Sequence, residues 1–313
     1  MSSRLLDTRD FCLSLVAGAL IGIGAMLPYP ARVRSFVRVV ARMISPFGGF
    51  TRTIRDNLAK ACPELSEAEL KSLTRRVPEN AVRPVVENLF SRDLAPYARA
   101  APINGAEGLA AIERAQAEGR GVLLMSAHLG NPIVAGIALR ERGYKVGDIY
   151  RPLRNRWLAA RWAAALREPL DALFPRDRRG MAQMVNFLRS GGMVLVLNDQ
   201  YNAAGAPLSF FGHTAYTSLS AAKLALKYDA PMVPIYAIRR ADGLNFEVVV
   251  EPPIPHSTPE RMTQNYNDSL EQRVRRNMDQ WFWVYRRWKG GHERREPEPP
   301  PKAAQTEGAD GGA

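Results

Sequence analysis

The stretch GVLLMSAHLGNPIVAGIALRER, Gly121 to Arg142, sets the fold class. It opens on an apolar run too short for a helix, of the kind that packs as a strand buried on both faces. A small polar cluster, His128 to Asn131, follows, and from Pro132 an apolar segment continues for helix length. The same pattern recurs downstream. KVGDIY (Lys145 to Tyr150), MVLVLN (Met193 to Asn198) and PMVPIYAI (Pro231 to Ile238) are short apolar runs. Between them lie helix-length segments at Asn155 to Arg167, Arg179 to Ser190 and Ser218 to Tyr228. Such alternation implies right-handed crossovers and an α/β fold with a mainly parallel central sheet flanked by helices. LNFEVVVEPP, Leu244 to Pro253, follows the turn residues Ala241-Asp242-Gly243 and is expected to pair antiparallel with the strand before it.

Upstream of the strands the chain is largely helical. FCLSLVAGALIGIGAML, Phe11 to Leu27, carries no charge over 17 residues, the lower edge of what spans a bilayer core about 30 Å thick. Arginines 32, 34, 38 and 42 follow it without an acidic residue among them, which assigns its C-terminal side to the cytoplasm. A spanning or monotopic membrane anchor is expected; a cleaved signal peptide, with Ala17-Gly18-Ala19 as the cleavage site, and a buried core helix are its rivals. Arg32 to Ser45 has Phe36, Val37, Val40, Ala41 and Ile44 at helical spacing, a basic amphipathic helix suited to a membrane surface. Helices are predicted over Thr51 to Lys60, Ser66 to Arg76, where SEAE places a serine cap before glutamates, and Ala81 to Tyr97. A long helix is predicted from Pro259 to Trp288. The organisation is thus an anchor with a basic helix over 1–50, a main domain over 51–289, and a Glu-, Pro- and Gly-rich tail over 290–313 expected to be disordered.

Composition bounds the function. The chain has 313 residues, 46% of them apolar, and a formal charge of +12, which predicts an acidic partner: nucleic acid, anionic lipid or an acidic carrier protein. Most of its basic residues are arginine, whose planar fork grips phosphate with paired hydrogen bonds. Two cysteines without motif spacing and four scattered histidines make a disulfide framework, a metal site or a bound cofactor unexpected.

In an open α/β sheet ligands bind at the carboxyl ends of the strands. After the first strand come His128, Gly130 and Asn131; after the second, Tyr150, Arg151 and Arg154; after the third, Asp199, Gln200 and Tyr201. The fold would gather a base, cations and a carboxylate on one edge. There is no GxSxG elbow, no GxxxxGK[ST] loop and no GxGxxG fingerprint. A histidine base without a protein nucleophile suits direct transfer, in which the acceptor's own hydroxyl is activated.

Six ordered blocks, HLGN (His128 to Asn131), YRPLRN (Tyr150 to Asn155), NDQ (Asn198 to Gln200), PLSFFG (Pro207 to Gly212), APMVPIYAIR (Ala230 to Arg239) and QWFWVYRRWK (Gln280 to Lys289), resemble the lipid A biosynthesis lauroyl/myristoyl acyltransferase family, within the wider lysophospholipid acyltransferase group. The resemblance runs from the apolar helix to Lys289. It implies an enzyme on the cytoplasmic face of the bacterial inner membrane that moves a fatty acyl chain from acyl carrier protein, or from coenzyme A, to a hydroxyl of a phosphorylated glycolipid or lysophospholipid. In the family's HX4(D/E) motif the histidine is the base and the acid orients it. His128 matches the base, whereas Ile133 occupies the acid's position and Pro132 stands where an aromatic residue is common.

Three arrangements answer that departure. Asp199, with Asp148 as second choice, orients His128 from another strand; a backbone carbonyl holds the imidazole; or catalysis is lost and the protein binds lipid or a partner. On the remaining positions, Arg151 and Arg154 are expected to clamp acceptor phosphate, Asn131 to donate to the developing oxyanion or to cap the next helix, and Gln200 to face the substrate. Phe210, Phe211 and Gly212 either wall the acyl channel or belong to the core. Trp281, Trp283, Tyr285 and Trp288 among Arg286, Arg287 and Lys289 suit a membrane interface. They would also suit stacking on single-stranded nucleic acid, a partner the apolar N-terminal run argues against.

Overall fold

The computed structural model describes residues 3–44 and 49–289; the expectation for the 290–313 tail lies outside them. Helix α1 (Ser3–Ala25) is followed by the short α2 (Tyr29–Ala31), one π-helical turn (Arg32–Phe36) and α3 (Val37–Ile44). The segment from Asp7 to Ala25 is long and apolar enough to cross a membrane, and it is almost wholly exposed. Phe11, Leu13, Val16 and Ile23 stand bare on its surface. Arg32 closes its end: the guanidinium donates to the carbonyls of Gly24 at 2.7 Å and Leu27 at 2.8 Å and lies 3.9 Å from the Phe90 ring centre. A cation on the last carbonyls of a helix satisfies groups that have no partner within the helix.

The expected surface role of the Arg32–Ser45 segment is corrected by its packing. Val37, Val40 and Ala41 are buried, and Arg38 pairs with Glu79 at 3.5 Å, so the apolar face of α3 is turned to the protein body. Next come α4 (Phe50–Ala61), α5 (Glu67–Leu89) and α6 (Ser91–Arg99). The predicted capping box opens α5, with Ser66 and Glu69 bonded reciprocally. Two separate helices were expected here, yet α5 continues through Pro78 and Pro84 to Leu89. Each proline removes one backbone donor, but Leu73, Val77 and Val86 are buried on the body, and that tertiary packing holds the helix together.

The sheet is built from β1 (Ile103–Asn104), α7 (Ala106–Ala117), β2 (Val122–Ser126), α8 (Pro132–Arg140), β3 (Val146–Tyr150), α9 (Arg156–Arg167), β4 (Ala172–Pro175), α10 (Arg178–Arg189) and β5 (Met193–Leu197). A separate two-stranded hairpin, β6 (Ala206–Phe210) and β7 (His213–Thr217), interrupts it before α11 (Ser220–Tyr228), β8 (Met232–Arg239), β9 (Phe246–Val250) and α12 (Pro259–Arg276). The order across the main sheet is β1-β9-β8-β2-β5-β3-β4. Every ladder is parallel except β8 with β9. Alternate residues serve opposite faces: Leu123 and Met125 of β2 enter one core cluster, Val122 and Leu124 the other. Burial on both sides is why these strands are continuous apolar runs in sequence. Helix α12 ends at Arg276, not at Trp288 as expected; one 3-10 turn (Met278–Gln280) follows, and the rest of the block, from Trp281, crosses the carboxyl edge of the sheet without helix.

Candidate active site

Strands β2 and β5 are neighbours in parallel register, with Ser126 opposite Leu197, so the residues just past each meet at one edge. His128 Nδ1 lies 2.8 Å from Asp199 Oδ1, and the backbone N–H of His128 donates to Asp199 Oδ2 at 3.0 Å. A third donor, Trp281 Nε1–H, reaches the same Oδ2 at 3.0 Å. The carboxylate is buried while the imidazole is 35% exposed, and its other nitrogen has no hydrogen-bond partner among the described residues. Burial alone would raise the Asp199 carboxyl, but the His128 charge and the three hydrogen bonds together hold it below the usual range. Burial likewise disfavours imidazolium, and Asp199, with Asp148 behind it, overcomes that and lifts His128 above its ordinary value.

Each residue of the HLGN turn is fixed by a different demand. Leu129 bridges to Trp281 in the block after α12. Gly130 has φ +62°, and a Cβ there would stand 2.0 Å from the Ala237 carbonyl oxygen, so no other residue fits. Asn131 is fully buried and makes no side-chain cap on α8. Its amide donates to Glu87 Oε2 at 2.9 Å and Asn88 Oδ1 at 3.0 Å. Glu87 is in turn clasped by Arg239, with contacts of 2.6 and 2.7 Å, an ion pair sealed between α5 and β8. Ile133, where the family motif has its acid, is buried in the core beneath α8. Nothing in the sequence pointed to Trp281 as a donor to Asp199 or to Glu87 as the brace; both contacts span long stretches of chain.

The aromatic residues are redistributed. Phe210 and Phe211 are buried and pack against Trp281, Trp283 and Trp288. Phe211 (φ +52°) and Gly212 (φ +68°) form the two-residue turn between β6 and β7, both left-handed as a type I′ hairpin requires. Trp281, Trp283 and Arg287 are buried, Tyr285 and Trp288 are half-buried, and of this block only Arg286 and Lys289 are exposed. The exposed tryptophan is Trp157, at the start of α9, in edge contact with Phe11 of α1 at 5.1 Å.

Arg151 and Arg154 follow β3, two ladder spacings or about 10 Å from β2. Both are exposed, and neither has a carboxylate partner among the described residues; Gln200 is exposed beside Asp199. Asp148, inside β3, is buried and its carboxyl is pushed up to about 7 by loss of water, against the smaller pull of the Ile149 N–H and of His128. On the other side of His128 the Phe282 ring packs at 5.5 Å. Phe282 also lines an apolar groove of about 330 Å³ between α1, α3 and α5, walled by Ile21, Phe36, Val82 and Phe90. Phe282 thus stands between the His128 imidazole and the apolar groove.

The sequence model of the bacterial lipid A biosynthesis acyltransferases matches residues 1–290. The chain is similar to a lipid A biosynthesis lauroyltransferase of Escherichia coli, 26% identical over 300 residues covering 92% of this chain and 94% of the relative. A palmitoleoyltransferase of the same organism is 26% identical over 284 residues, 86% and 89% of the two chains. A lipid A biosynthesis acyltransferase of Haemophilus influenzae is 26% identical over 180 residues, 56% of each. The chain belongs to the bacterial lipid A biosynthesis acyltransferase family.

Proposed function

We propose that this chain is a membrane-associated acyltransferase that moves a fatty acyl group from a thioester, on acyl carrier protein or coenzyme A, to a hydroxyl of a phosphorylated lipid. The observation that carries the reading is the 2.8 Å contact between His128 Nδ1 and Asp199, which supplies from β5 the carboxylate missing at Ile133. With the Nδ1 proton donated to Asp199, the Nε2 lone pair accepts the acceptor's hydroxyl proton as its oxygen attacks the thioester carbonyl. The C–S bond breaks as the ester C–O bond is made, and the imidazolium returns its proton to the departing thiolate. The acyl chain occupies the groove behind Phe282, and Arg151 with Arg154 holds the acceptor's phosphate.

Attachment to the bilayer rests on α1, and its contacts favour a helix lying in the membrane plane. Near its start Asp7 pairs with Arg156 at 2.8 Å and the Asp10 carbonyl accepts from Asn155 at 2.7 Å; at its end Arg32 binds its carbonyls. A helix tied to one body at both ends runs along that body, with its outer face in lipid.

The test is transfer of a radiolabelled chain from acyl carrier protein or coenzyme A to lipid A precursor by the full-length protein and two variants. His128→Ala is expected to abolish transfer, and Asp199→Asn to lower it by roughly 10³ to 10⁴ while lipid binding persists. Parent-rate transfer by Asp199→Asn rejects the second-strand carboxylate. A parent protein inert with every donor leaves a lipid-binding homologue without catalysis.

A further inference from the structure

A second cavity, of about 640 Å³, is lined by residues near α1, on α3 and α5, at the end of β8 and after α12. Its walls carry six guanidiniums, from Arg34 and Arg38 near the anchor, Arg76 and Arg83 on α5, and Arg239 and Arg240 at the carboxyl end of β8. Three carboxylates face them, a fourth, Glu87, neutralises Arg239 from behind the wall, and all four are already engaged. Glu79 is shared between Arg38 at 3.5 Å and Arg83 at 4.0 Å, and Asp279 is held by Arg76 at 3.3 Å. Asp242 turns to the N–H groups of Leu244 and Asn245 at 2.8 and 2.9 Å. Arg34 donates to the backbone carbonyl of Asp242 at 2.9 Å, and its charge also acts on that residue's carboxylate without a direct contact; the Arg240 side chain has no partner among the described residues. Deeper in, the Arg83 Nε–H is buried with nothing to accept it. Burial and the nearby Arg239 charge both press against the Arg83 cation, more than the carboxylates offset.

We propose that this cavity binds a phosphate ester, separately from the His128 site. Concentrated, under-neutralised guanidiniums with an unmet buried donor call for a small, multiply accepting anion, and phosphate fits the guanidinium fork with paired bonds. A concave site with half-buried arginines at its base admits a headgroup; carboxylates projecting from an acidic protein helix would stop at the rim. Arg34 and Arg38 come shortly after α1, so on the membrane-anchored reading proposed above the mouth lies at headgroup depth, where an anionic phospholipid is the abundant phosphate ester. A soluble phosphate ester offers the same chemistry.

The experiment compares the full-length protein with Arg34→Gln/Arg240→Gln, neither of which breaks an ion pair, and with the charge-matched Arg142→Gln/Arg189→Gln at the opposite edge of the sheet. Binding to vesicles of phosphatidylglycerol in phosphatidylcholine is expected to weaken at least about tenfold in the cavity pair and less than about threefold in the opposite-edge pair. Inorganic phosphate is expected to raise the melting temperature of the parent and the opposite-edge pair but not of the cavity pair. A phosphate-dependent shift without the vesicle difference supports the site with a soluble ester as its ligand. Equal vesicle losses in both pairs and no phosphate shift overturn the proposal, as does a loss confined to binding of acyl carrier protein. A parent that ignores neutral phosphatidylcholine vesicles counts against the anchor alone, since the phosphate shift needs no membrane.

Discussion

Asp199 meets His128 across a ladder, whereas an acid five residues on would meet it from the first turn of the following helix. The two routes place the same charge on the same ring nitrogen, so the pH dependence should report it. Because the imidazole is held above its ordinary value of 6.5, the basic form is reached only above that pH, and the acidic limb of the rate profile is expected there. In Asp199→Asn that limb moves to lower pH even as the plateau falls, a pairing of effects that loss of folding would not give. Asp148 makes the opposite prediction. Its folded carboxyl titrates near 7 against an ordinary 3.8, so it lowers stability increasingly as pH rises from 3.8 to 7. Asp148→Asn is expected to gain thermal stability over the parent, the gain growing by about 1.4 kcal/mol per pH unit between pH 5 and 7. Melting curves at pH 5 and pH 8 check it.

The elements around the site are locked by the buried Glu87–Arg239 pair, which ties α5 to β8 and carries Asn131 as a third member. Arg239→Met strands Glu87 without its counter-charge and is expected to reduce unfolding free energy by about 3–5 kcal/mol; adding Glu87→Gln should restore part of it, as denaturant titration would show. What the sequence made legible was set by local physics. The strands around His128 could be placed because burial on both faces leaves an apolar run bounded by polar turns, and the carboxyl-edge rule then brought His128 and Asp199 together. The continuity of α5 through two prolines could not be read, since packing of Val77 and Val86 overrides a local breaker. Nor could the course of Gln280 to Lys289: a mixed aromatic and basic run signals an interface by composition, and only contacts with Asp199 and the β6–β7 turn reveal it as core. Strand β4, four residues long, lacked length enough to stand out.

For the whole molecule, the in-plane course proposed for α1 rests on its contacts at both ends. If both its ends stay with the catalytic body, a reporter at the N-terminus should be found on the same side of the membrane as one at the C-terminus. Protease protection in sealed, inverted vesicles would decide it, and reporters on opposite sides would mean that the Asp7–Arg156 pair does not form in the bilayer.

Helix α1 also lends Ala17, Leu20 and Ile21 to the wall of the apolar groove. Trimming the N-terminus to obtain a well-behaved soluble enzyme would therefore do more than detach it from lipid. The shortened protein would keep the His128–Asp199 contact while the groove gaped open along one side, and, on the function proposed above, any preference among tail lengths recorded from it would describe a different catalyst.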